Sequence, residues 1–147
     1  MNREQDKKHA QHVDAWIEQT LKGLPLRTQV LVFGNAIHAI HLRALQTLSI
    51  VTLGAILDRA LHECQLKFPM LRQVRLSDSG LSFEDLLPSL DDRAAVEVTS
   101  SLRFFIVELL TILENITGGT LTYPLYAELS RVTYESSEKS KKDKGEV

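Results

Sequence analysis

The stretch LRTQVLVFGNAIHAIHLRALQTLSIVTLGAILDRALHECQLKFP, Leu26 to Pro69, decides the fold. Before Pro69 it holds no proline and no cluster of turn residues, and its only soft points are Gly34-Asn35 and Gly54. Two readings follow. In one, a short helix to Phe33 breaks at Gly34-Asn35 and a long helix runs from Ala36 to Lys67. In the other, a single long helix kinks. A helix over the 32 residues from Ala36 to Lys67 extends ~48 Å at about 1.5 Å per residue. A compact domain of this size has a radius of gyration of roughly 15 Å, too small to cover such a rod. The helix therefore either breaks near Gln46-Thr47 or has its far end covered by something else, such as another copy of the chain.

Upstream, Asp6 to Lys22 reads as a short amphipathic helix with Val13, Trp16, Ile17 and Leu21 on one stripe. Gly23 stops it and Pro25 opens the next helix. Downstream, Val74 and Leu76 alternate with Arg75 and Ser77 before the turn signal SDSG, so a small hairpin is expected. Ser82 with Asp85 resembles a helix N-cap pair, and FEDLLPSL makes one short helix at most. Asp91 and Asp92 suit the N-terminal dipole of a helix that runs to about Thr117. In that helix Leu102, Ile106, Leu109, Leu113 and Ile116 form a bundle seam, widened by Phe105 and Ile112. Gly118-Gly119 ends it. Thr122 can cap the last helix, with Pro124 in its first turn and Leu125, Leu129 and Val132 on one face. The reading is an all-α bundle of about five helices with an irregular or hairpin insert around residues 70–82. It forms one domain over residues 1–136, followed by a polar, disordered tail over 137–147.

Composition fits this. The chain has 147 residues, 44% hydrophobic and 24% charged, enough for one domain with a real core. Aromatics are only 6%, so aliphatic side chains must fill that core. The net charge of −2 argues against nucleic acid and acidic membranes as partners. Cys64, the single cysteine, cannot form an internal disulfide and is expected to be buried and reduced. The start, MNREQDKKHAQHVD, lacks a signal-peptide apolar stretch. His38, His41, Arg43 and Gln46 interrupt the longest candidate for a membrane span. A cytoplasmic protein is expected.

Few residues suggest chemistry. Glu108 sits in the apolar run RFFIVELLTILENIT, sharing a strip with Thr111 and Asn115, with Glu114 beside it. It reads as a rim glutamate, or as a partly buried carboxylate paired with Arg43, His38 or His41. His38 and His41 share a helix face, and His9 and His12 repeat that i,i+3 spacing. Two imidazoles bind a divalent metal if a carboxylate joins them. No Glu-x-x-His or His-Glu-x-x-His is present, however, and a helix or subunit contact is the simpler role. Ser49, Ser100 and Ser101 fall within helical patterns, without a nucleophile elbow. Cys64 has no activating cation beyond Lys67. Gly118-Gly119 lacks the flanks of a phosphate loop. Arg72, Arg75 and Arg103 have no interleaved aromatics for bases. No catalytic residue, metal ligand or cofactor site is assigned; His38, His41, Arg43 and Glu108 stand as candidate polar interface or ligand contacts.

The run LRFFIVELLTILENITGGTLTYPLYAELSRV, with LSIVTLGAILDRAL and FPMLRQVRLSDSGLSFEDL before it, resembles small helical modules that accompany bacterial sensor and signal-transduction proteins. The resemblance spans Leu48 to Val132. It implies a bacterial regulatory module with a signalling partner and supplies no site residue. The expectation is a non-enzymatic interaction module that forms a homodimer, because Val30 to Phe33 and the Arg103–Ile116 helix are apolar nearly all round. The alternatives are a small-molecule sensor bundle and a metal-binding protein using His38 and His41.

Overall fold

In the computed structural model, which describes residues 3–77, 80–83, 86, 88, 90 and 95–133, the stretch from Leu26 to Lys67 is two helices. Pro25, at φ −58°, opens α2 (Leu26–Ala44). This helix runs through Gly34-Asn35 unbroken, because Val30, Phe33, Ile37 and Ile40 keep one face in the core on both sides of the glycine. The chain turns at 45–49 instead, where the Leu48 N–H reaches the Ala44 carbonyl at 2.8 Å. Ser49 then caps α3 (Ile50–Lys67), its hydroxyl oxygen accepting from the Thr52 N–H at 3.1 Å. The break therefore falls beside Gln46-Thr47, and Ser49 is a cap rather than a helix residue.

α1 (Arg3–Thr20) buries Val13, Trp16 and Leu21, as its apolar stripe predicts. Gly23, at φ +83°, turns the chain into α2, a conformation that strains residues with a Cβ. After α3, a 3-10 turn over Pro69–Gln73 leads into β1 (Arg75–Ser77), which pairs antiparallel with β2 (Gly80–Ser82). The register sets Leu76 opposite Leu81 and Arg75 opposite Ser82. Ser82 ends β2, and Asp85, its expected cap partner, lies outside the described residues. So do Asp91, Asp92 and the tail at 137–147.

α4 (Ala95–Thr117) is the hub, packing against α1, α2, α3 and α5 (Thr122–Arg131). The seam Leu102, Ile106, Leu109, Leu113 is buried together with Val98, Phe105, Leu110 and Ile112, so partners surround most of its circumference. Ile116 is exposed: the last turn leaves the bundle just before Gly118 and Gly119, both at positive φ, end the helix. Arranged this way, the five α-helices of the described residues bring the N-terminal half of α1 against the end of α4 and the start of α5.

Gly54 lies inside α3 with nothing within 4 Å of where a Cβ would sit. Gly54→Ala is therefore expected to raise stability by about 0.5–1 kcal/mol in urea melts, the usual gain in a helix interior. A loss instead would mean that another surface closes on this bare turn.

Candidate functional site

His9 is the most buried polar side chain with a long-range network. One turn into α1, it lies on the backward extension of the Val13–Trp16 stripe and is 1% exposed. Its Nε2 is 2.8 Å from Glu114 Oε2 on the last turns of α4, and its Nδ1 is 2.6 Å from the Tyr126 hydroxyl on α5. The Thr122 hydroxyl donates to the other carboxylate oxygen, Oε1, at 3.0 Å. Thr122 is the first residue of α5 and makes no capping bond, so its side chain serves this network in place of the expected cap.

The protons account for themselves in one arrangement. An ionised Glu114 accepts from Thr122 and from the His9 Nε2–H. His9 then presents a lone pair at Nδ1, which accepts from the Tyr126 O–H. Burial and the nearby Glu114 charge push the Tyr126 phenol up to about 12, so it stays a donor. Carboxylate, imidazole and hydroxyl in a row also describe a nucleophilic triad. Here the hydroxyl is shifted the wrong way for a nucleophile, and it is spent on a buried bond. The row fastens three helices.

His12, one turn along, stacks on the Tyr126 ring at 3.9 Å between centroids and 9° between planes. Burial, and then the neighbouring His9, hold its pKa below the ordinary imidazole value. Below His12, Trp16 packs edge-on against Phe33 and donates its indole N–H to the Val132 carbonyl at 2.9 Å. A groove of about 380 Å³ runs along this side of α1 to the end of α5, lined by His12, Trp16, Gln19, Thr20, Ser130 and Thr133 among others.

The residues singled out in the sequence lie elsewhere. His38 and His41 come together on α2, their rings nearly parallel with centroids 6.4 Å apart. His38 is exposed and His41 is buried. The cavity they share with Gly34, Ile37, Leu57 and Leu81 is only about 10 Å³, room for no more than a single water-sized occupant. Arg43 donates to Gln46 at the turn, 2.9 Å away. Glu108 is half-buried and faces α3, where burial first, and then Glu108 and Glu63, push the Cys64 thiol up to about 12. A thiol so placed is inert. Arg103 pairs bidentately with Asp14 of α1, at 2.5 and 3.0 Å, while Arg72 and Arg75 are exposed. Among the described residues, no three His, Cys, Asp or Glu side chains gather as a metal ion would need, and no helix is long and apolar enough to cross a membrane.

Set against known proteins, the chain matches no family model, no curated protein and no solved structure. The functional reading therefore rests on the geometry.

Proposed function

We propose that the chain is a non-enzymatic interaction module that pairs with a second copy of itself. The carrying observation is an apolar patch at the α2–α3 end of the bundle. Leu42 in the last turn of α2 is 51% exposed, and Ile50 and Val51 in the first turn of α3 are 63% and 83% exposed. The segment ALQTLSIVTLGAIL, Ala44 to Leu57, carries no charged side chain, in a chain where 24% of residues are charged. Arg43 flanks the patch beside Leu42, where it is bonded to Gln46, and the α3 part, Ile50 and Val51, meets its own copy across a two-fold axis without like-charge repulsion. The premise drawn from the sequence shifts accordingly. Val30, Val32 and Phe33 are covered by their own chain, and so is most of α4. Leu31 of the same run is exposed, as are Leu66, Val96 and Ile116 elsewhere, and the α2–α3 end is where three exposed apolar side chains fall within one turn and its flanks. A regulatory role rests on the resemblance to bacterial signalling modules.

Sedimentation at micromolar concentration tests the pairing. The expected result is a dimer that Leu42→Glu with Val51→Glu converts to a monomer of unchanged helicity. A monomeric parent chain would overturn it. A second reading, a small-molecule binding bundle, is favoured by the groove beside His12 and Trp16, whose volume is in the range of ligand sites, roughly 300–1,000 Å³. A metabolite that raises the melting temperature of the parent chain, but not of a Gln19→Ala variant, would support it.

A further inference from the structure

The β1–β2 hairpin is docked on α2 through two apolar contacts. Leu81 closes the small cavity over His38 and His41, and the Phe83 ring comes within 3.4 Å of where a Cβ on Gly34 would lie. The ring thus packs directly on this turn of α2, at a distance where a Cβ would be in van der Waals contact. Under the hairpin, His41 is 8% exposed. Its Nδ1 is sealed from solvent and has no hydrogen-bond partner among the described residues.

That nitrogen constrains the charge of the ring. As a bare acceptor on a neutral imidazole it carries only the modest cost of one unmade hydrogen bond. As the N–H of an imidazolium it would be a buried cationic donor without an acceptor, which costs far more. Among the described residues the walls supply no compensation: α3 contributes Leu57, the hairpin Leu81, and α2 itself Gly34 and Ile37. Among the described residues the titratable group that faces it is His38, on the same helix, and a charge on His38 repels one on His41. Burial, and then His38, accordingly hold His41 below the ordinary imidazole value.

We propose that His41 is an acid-release catch for the hairpin: taking up a proton, it undocks Leu81 and Phe83 and uncovers the Gly34–His41 face of α2. The sign follows from linkage. The docked state depresses the pKa of His41, and the undocked state returns it toward 6.5. Docking is therefore at full strength above the undocked value. It weakens as pH falls below that value toward the docked one.

Methyl and aromatic NMR signals of Leu81 and Phe83, followed from about pH 7.5 to about pH 5, provide the test. The expected result is a single cooperative change in both residues, with the Trp16 fluorescence unaltered as a control for global unfolding. His41→Leu keeps the hairpin docked at the acid end; His41→Gln does the same if the leucine variant folds poorly. His38→Gln retains the transition and moves it to higher pH, because a repelling charge is gone. Unchanged Leu81 and Phe83 signals at the acid end, or the same transition in both His41 variants, would overturn the proposal.

Discussion

Glu114→Ala is expected to destabilise the fold by about 3 kcal/mol, two hydrogen bonds to a charged acceptor at about 1.5 kcal/mol each. Two groups lose their acceptor at once, and a third loses its orientation. The His9 Nε2–H and the Thr122 hydroxyl both point at that carboxylate. The Tyr126 hydroxyl loses the orienting effect that fixed which nitrogen of His9 carries the proton. His9 has no alternative contact with water at 1% exposure. Glu114→Gln is a milder change, expected to cost about 1 kcal/mol. The amide oxygen still accepts from Thr122, and the amide nitrogen donates to His9 Nε2 once the proton moves to Nδ1 and Tyr126 becomes the acceptor. A double-mutant cycle between Glu114→Ala and His9→Leu should give a coupling of about 1–3 kcal/mol in urea melts. A coupling near zero would mean that the two side chains do not act as one unit.

This network shows what local sequence could and could not convey. Element existence was legible because it depends on spacing within one segment. The Val13–Trp16–Leu21 stripe, the hairpin alternation and the α4 seam all reappear as buried faces or paired strands. The turn between α2 and α3 was harder. It uses no glycine or proline, and the glycine that looked like a break, Gly34, lies within a continuous helix with Phe83 packed beside it. The local sign was Ser49 followed by Thr52, a cap hidden inside an apolar run. The site was least legible. The spacing of His9 and His12 marks a shared face, and extending the stripe back from Val13 by one turn reaches His9. Nothing local joins His9 to Glu114 and Tyr126, which are 105 and 117 positions away. Helix packing brings them together, and that packing is set by α4 as the central helix. The same reasoning explains why the apolar run around Glu108 overstated the surface to be hidden. A helix with neighbours on several sides needs apolar residues on several sides.

Trp16→Ala is expected to be the costliest single change, at about 3–5 kcal/mol, because it empties a site that the surrounding helices cannot refill by small shifts. Trp16 contacts α2 through Phe33, at 5.6 Å between ring centroids, and the C-terminal end of α5 through the Val132 carbonyl. Trp16→Phe separates the two contributions. It keeps most of the volume and the edge-on ring contact but loses the N–H donor, so a cost of about 1–2 kcal/mol is expected. Far-UV circular dichroism in urea measures both without relying on the fluorescence of the replaced residue. Equal losses in the two variants would place the stabilisation in the hydrogen bond and not in the packing. His9 and Trp16 are seven positions apart on α1, so they fasten the helix at points separated by about 10 Å. At that separation the two losses should add within a few tenths of a kcal/mol. Their sum reaches the stability of an ordinary domain, about 5–15 kcal/mol. The Trp16→Ala, Glu114→Ala double variant is therefore expected to have α1 undocked or the whole bundle unfolded at room temperature, and a double variant that still melts cooperatively would show that α1 is held by something other than these two points.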